Sequence, residues 1–126
     1  MDIHQIALPV TDLDRAVAFY RDLLGDEPIA TFDPPGLAFF PLGGTRLMLD
    51  RNGATRALLY LRVDDVVAKL EDLRGKGVEI TDEPHVIFPD TDGTFGPPRQ
   101  DEWLAFIRDS EGNLVGLAER RDQAAG

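Results

Sequence analysis

The sequence predicts an α+β fold built from two βαβββ modules, forming paired curved mixed sheets around a shared cleft. Three observations predict it. An apolar strand runs into an aspartate and then an amphipathic helix twice in the chain. The two copies keep register, with Leu8, Val10 and Asp12 corresponding to Leu61, Val63 and Asp65. Each helix is followed by further strand and turn signals in the same order.

In the first module, residues 3–10 read as a strand with an apolar stripe at Ile6, Leu8 and Val10, and Asp12 is placed to cap a helix. The helix runs to about Leu24. Leu13, Val17, Tyr20 and Leu24, with Ala16 and Leu23 beside them, recur at spacings of three and four, and Gly25 supplies a stop. A bend at residues 33–36, a strand at 37–42, a turn at Gly43 and Gly44 and a strand at 45–50 read as a hairpin, with Asn52 and Gly53 as the next turn signal.

The second module restarts with a strand at residues 56–63 and a helix capped by Asp65, its inner face carrying Val66, Leu70 and Leu73 and its end marked by Gly77. A strand near 78–80, a loop rich in Pro, Gly and Asp at 83–99, a strand at 103–108, a turn at 109–113 and a strand at 114–119 complete it. The span 83–102 before the strand is long for a compact domain and reads either as a lid or as a surface insert. Residues 120–126 read as a frayed tail. One domain over 1–126 is expected, with module one at about 1–54 and module two at about 55–119.

Composition fits this. With 126 residues and 43% hydrophobic content, the chain supports one buried core. There is no cysteine, which excludes disulfides, thiolate metal ligation and a cysteine nucleophile and suits a reducing cytoplasm. Asp and Glu outnumber Lys and Arg by 23 to 13, so nucleic acid and anionic membrane surfaces are not expected partners. No run approaches the roughly 18 apolar residues of a membrane span, and the first residues lack a signal-peptide pattern. A soluble protein is expected. GxSxG, Walker-type and GxGxxG motifs are all absent, which leaves hydrolase and nucleotide-binding readings without support. Asp64 with Asp65, and Glu71 with Asp72, fall at a helix cap and on a helix face, where capping and solvation account for them.

The run QIALPVTDLDRAVAFYRDLLG at residues 5–25 resembles the opening module of glyoxalase and bleomycin-resistance proteins, whose pattern reads VxDLxRAxxFYxDLLG. DSEGNL at residues 109–114 is similar to the DPxGN turn before the last strand of the same vicinal oxygen chelate superfamily. These matches lie near opposite ends of the chain. The resemblance implies a cleft in which metal-dependent members hold a divalent ion through four side chains, and those positions fall here on Gln5, Met48, Leu58 and Gly116. Leucine and glycine offer no side-chain donor, and a thioether is a poor ligand for a hard or borderline ion. No metal and no cofactor are therefore expected, and most metal-assisted chemistry of the superfamily falls with them. His4, of opposite parity to Gln5, is expected to be a partly exposed histidine on the helix side. A site at His4 and Glu119 would need a one-residue register slip. His85 is expected at the start of a loop.

The same parity gathers Gln5, Ala7, Pro9, Arg46, Met48, Asp50, Leu58, Tyr60, Arg62, Leu114, Gly116 and Ala118 on one side. Met48, Leu58 and Gly116 would offer apolar surface, while Gln5, Arg46, Tyr60 and Arg62 would orient a ligand with an anionic end. Trp103 either roofs the cleft or covers the core. The ligand-binding candidates are thus Gln5, Arg46, Met48, Leu58, Tyr60, Arg62, Trp103 and Gly116, with no catalytic residue assigned. The leading expectation is a metal-independent binder of a small organic ligand. The resemblance also implies a homodimer. Two alternatives stay open: a lyase, isomerase or dioxygenase of the same fold using another metal site or a metal-free acid–base group, and an interaction module whose cleft is filled by its own side chains.

Overall fold

The computed structural model describes residues 1–52, 56–110 and 112–125. The expected turn at Gly53, the module boundary at 54–55, Glu111 of the last turn and Gly126 lie outside the described residues. Two helices and eight strands are described, divided between two compact units, residues 4–59 and residues 60–126 with 1–3. No described helix is long and apolar enough to cross a membrane.

The N-terminal unit contains β1 (Asp2–Pro9), α1 (Leu13–Leu24), β2 (Ala30–Phe32), β3 (Leu37–Leu42) and β4 (Thr45–Asp50). Its strands lie in the order β2-β3-β4-β1, with β1 parallel to β4 and the other pairs antiparallel. Asp12 accepts the Arg15 N–H at 3.0 Å, and Gly25, at φ 71°, ends the helix with its N–H on Arg21 O. Leu13, Ala38, Phe40, Leu47 and Leu49 form the core, with Leu8, Val10, Ala16, Val17, Tyr20 and Leu24 packed on it. These are α1 and β1 positions that the spacing selects; Ile6 of the predicted stripe is half-buried outside this cluster, and Leu23 is a clearer departure. Leu23 is 65% exposed, because it lies one position before Leu24 and so turns about 100° away from the packed face. Strand β2 was not identified in the sequence, being three residues long and next to a proline-rich bend.

The C-terminal unit contains β5 (Leu58–Arg62), α2 (Val66–Gly75), β6 (Ile80–Asp90), β7 (Gln100–Arg108) and β8 (Leu114–Asp122), with β5 beginning at the division between units. The order is β6-β7-β8-β5, with β6, β7 and β8 antiparallel. Asp65 accepts the Ala68 N–H at 3.0 Å, and Gly77 follows the helix at φ 81°. Val63, Val66, Leu70, Ala105 and Leu117 form this core, with Leu61, Leu73, Ile80, Trp103 and Ile107 against it. The α+β class and the two βαβββ modules are thus as the sequence predicts.

The expected loop at 83–99 is corrected by β6, which carries residues 83–90 into a hairpin with β7. Two features hid it. Pro84 and Pro89 break the strand signal, yet both are tolerated because β6 is at the end of the strand order. The β6–β7 register also shifts three times, which destroys the alternation that marks a strand. The connection that remains is short and tied down. Asp90, 1% exposed, accepts the N–H groups of Thr94 at 2.7 Å and Phe95 at 2.9 Å and pairs with Arg120 at 2.9 Å. Arg120 also donates to Pro97 O and Gln100 Oε1. Burial pushes the Asp90 carboxyl up, but the Phe95 and Thr94 N–H groups and the Arg120 guanidinium outweigh it and hold it below the ordinary carboxylate range. A lid is inconsistent with these anchors. The expected tail is corrected in the same way: β8 continues through Asp122, and Arg120 is the partner of Asp90.

Candidate functional site

In each unit the strands have a face turned away from the helix, and strand pairing fixes what stands there. In the N-terminal unit Gln5 pairs with Arg46, and Ala7 with Met48. Met48 pairs in turn with Phe39, and Arg46 with Pro41. Cross-strand partners share a face, so Gln5, Arg46, Met48 and Phe39 come together on the side opposite Leu47 and Leu49. Gln5, 4% exposed, is held at both ends of its amide. Its Nε2 donates to the Met48 sulfur at 3.8 Å, and its Oε1 accepts from Arg46 Nε. The half-buried Arg46 guanidinium lies 5.4 Å from the centroid of the Phe39 ring, which in turn packs edge to face on Phe32. The arrangement is a cation held by an amide beside a thioether and an aromatic ring.

In the C-terminal unit Tyr60 and Gly116 meet directly. A Cβ at Gly116 would lie 2.5 Å from Tyr60 Cδ1, so only glycine admits the ring. Phe106, the cross-strand partner of Gly116, meets Tyr60 at 68° with 5.7 Å between centroids. Arg62 lies apart from this contact, at a cavity of about 650 Å³ beside the start of α2 that Asp2, Asp64, Asp65, Lys69 and Asp72 also line.

The remaining candidates are dispersed. Leu58 opens β5 and is half-buried. Trp103 stands on the opposite face from Tyr60 and Gly116, among the residues packed against the α2 core, because it pairs with Glu119 and alternates with Leu104. Arg121 covers its ring at 4.5 Å. Of the two readings open for Trp103, its position is that of a core cover. His4 is corrected from partly exposed to buried, at 4% exposure. Glu119 is buried as well and is occupied as a helix cap, accepting the Val66 N–H at 2.8 Å and pairing with Arg121 at 2.8 Å. His85 lies in β6 rather than at a loop start, exposed, with Nδ1 2.9 Å from Glu83 O.

The family positions do not fit a divalent ion. Leu58 has no donor, and Gly116 has no room for one while Tyr60 is in place. The only hard donor among the four, Gln5 Oε1, already accepts from a guanidinium, and a positive neighbour opposes a metal cation. Among the described residues no group of three or more His, Cys, Asp or Glu is placed to hold a metal.

Two side chains in these contacts escaped the sequence reading, Phe39 against Arg46 and Phe106 against Tyr60. Both were within reach of it. Counting back from the Gly43-Gly44 turn sets Leu42 opposite Thr45 and therefore Phe39 opposite Met48. Counting from Arg108 opposite Leu114 sets Phe106 opposite Gly116.

The chain belongs to the Glyoxalase/Bleomycin resistance protein/Dioxygenase superfamily, whose profile matches residues 2–117. It is 29% identical over 135 residues to a glyoxylase-like domain-containing protein of Didymella fabae, covering 94% of this chain and 93% of that protein. Its fold is similar to the crystal structure of a hypothetical protein from Bacillus halodurans C-125, with TM-score 0.72 at 18% identity over 99% of this chain and 98% of the other. It is also similar to a variant methylmalonyl-CoA epimerase of Streptomyces coelicolor in complex with 2-nitronate-propionyl-CoA, with TM-score 0.70 at 24% identity over 98% and 94%.

Proposed function

We propose that this glyoxalase-like chain binds a small organic ligand without a divalent metal, using the helix-distal face of its N-terminal unit. The observation that carries the proposal is Arg46, held at Nε by the buried Gln5 amide and flanked by Met48 and Phe39. A guanidinium fixed on an apolar floor is the chemistry that receives a carboxylate or other anionic end, while the thioether and ring receive the apolar remainder. The donor-poor family positions support the metal-free part. Superfamily membership leaves the ligand open, because fold constrains substrate weakly. The proposal includes a homodimer in the cytoplasm, and the mass in solution by light scattering checks the oligomer.

The test has two parts. Nickel and zinc titrated by calorimetry into chelator-stripped protein are expected to give no stoichiometric sub-micromolar event. A panel of aromatic and aliphatic carboxylic acids is expected to include members that raise the melting temperature of the wild type but not of Arg46→Met. A one-to-one metal isotherm sinks the first part, and equal shifts in both proteins sink the second. The Tyr60 ring on Gly116 favours a second reading for the C-terminal unit alone, in which its helix-distal face is filled by the chain's own side chains.

A further inference from the structure

Gly116 needs an explanation that its backbone does not supply. It is absent from the glycines at positive φ, so an ordinary residue would suit its conformation. The Tyr60 ring does supply one. It is 7% exposed and points away from α2, since Leu61 and Val63, of the alternate parity, pack on the α2 core. A Cβ at Gly116 would come within 2.5 Å of Cδ1 and 3.0 Å of Cε1. Phe106 closes one side edge to face, and the next cross-strand pair, Leu104 with Ala118, is buried.

The ring therefore has a floor of bare backbone and an aromatic wall on one side, which is the shape of a seat for one benzene ring. We propose that Tyr60 and Gly116 form a self-occupied aromatic subsite: a position suited to a one-ring phenol, filled in the resting protein by the chain's own tyrosine. The glycine is kept small by the ring, and the ring is kept in place by the glycine. A cavity left in such a setting stays dry and takes up an aromatic molecule of matching size. This subsite lies in a different unit from Arg46, so its failure leaves the proposed function standing.

The experiment uses the full chain with Tyr60→Ala, Gly116→Ala and the double variant, melted with and without millimolar 4-methylphenol, which is the tyrosine side chain as a free molecule. Each single variant is expected to melt roughly 5 °C or more below the wild type, from a cavity in one case and a clash in the other. The double variant is expected to melt well above the sum of the two losses, because removing the ring relieves the clash. 4-Methylphenol is expected to raise the melting temperature of Tyr60→Ala by several degrees and to leave the wild type unchanged. Additive losses, a Gly116→Ala variant as stable as the wild type, or equal 4-methylphenol shifts in both proteins would overturn the proposal. If Tyr60→Ala does not fold alone, folding restored by 4-methylphenol supports it. Where 4-methylphenol fails to restore folding, the cycle repeated with Tyr60→Leu decides: non-additive losses support the pair, and additive losses overturn it.

Discussion

The β2–β3 connection of the N-terminal unit and the β6–β7 connection of the C-terminal unit occupy the same place in the repeat and are tied in the same way. Each uses an aspartate, an arginine and a glycine. Asp33 pairs with Arg51 at 2.7 Å, and Asp90 with Arg120 at 2.9 Å. Gly36 makes room for the Arg51 guanidinium, and Gly96 for that of Arg120. What differs is burial: the Asp33 side chain is 49% exposed and that of Asp90 1%. The lesson is that ion-pair distance says little about what a pair contributes. An exposed pair exchanges solvation for attraction at almost no net gain, whereas a buried carboxylate whose partners include two backbone N–H groups leaves several groups stranded when it is removed.

The largest effect should come from Asp90→Ala, which strands Arg120 and the N–H groups of Thr94 and Phe95 and is expected to cost about 3 kcal/mol by urea denaturation. Asp33→Ala, by contrast, should leave the denaturation midpoint unchanged; equal losses in the two variants would break the comparison.

Next in size is the acid limb of stability. The folded Asp90 carboxyl titrates below its ordinary 3.8, so the unfolded chain binds the proton more tightly and stability rises with pH across that interval. The contribution is complete above about pH 5 and is lost as pH falls below about 4 and through the folded value. Asp33 is also held below 3.8, by its Arg51 hydrogen bond, but at an exposed site. Carboxyl NMR titration in 1 M salt should return Asp33 towards 3.8 and leave Asp90 depressed. Both returning together would show that Asp90 is open to solvent.

A third, smaller contrast concerns the helix starts. Asp12 and Asp65 cap α1 and α2 at the same 3.0 Å, but α2 has a second acceptor, Glu119 on the Val66 N–H. Asp12→Ala should cost about 1 kcal/mol, and Asp65→Ala less while Glu119 is present. Combining Asp65→Ala with Glu119→Ala should exceed the sum of the two. The smallest effect belongs to Leu23→Lys on the exposed side of α1, expected within about 0.5 kcal/mol of the wild type despite removing a leucine.

The order of these effects reflects what was legible in the residues. Leu13, Val17, Tyr20 and Leu24 on α1, and Val66, Leu70 and Leu73 on α2, announce their buried faces by spacing, and both cap aspartates announce the helix starts. Strand parity gathered Gln5, Arg46, Met48, Tyr60 and Gly116 on one side, and within each unit the contacts follow it, Gln5 with Arg46 and Met48, and Tyr60 with Gly116. It failed for β6, where bulges and two prolines erase the alternation, and for residues 120–122, whose charged side chains read as solvated. The buried pairing of Asp90 with Arg120 joins residues thirty apart in sequence. Nothing local marks either as buried.

Periodicity, capping and turn chemistry, each acting over a few residues, determined the α+β class and the two βαβββ modules, while the family resemblance implied which positions, Gln5, Met48, Leu58 and Gly116, to inspect for metal donors. The tertiary structure alone decided that Arg46 is held by Gln5 over Phe39, that Tyr60 fills the space above Gly116, and that Asp90 locks the β6–β7 connection. These depend on which strands pair and on what each side chain meets across the sheet, and such contacts have no counterpart in the order of neighbouring residues.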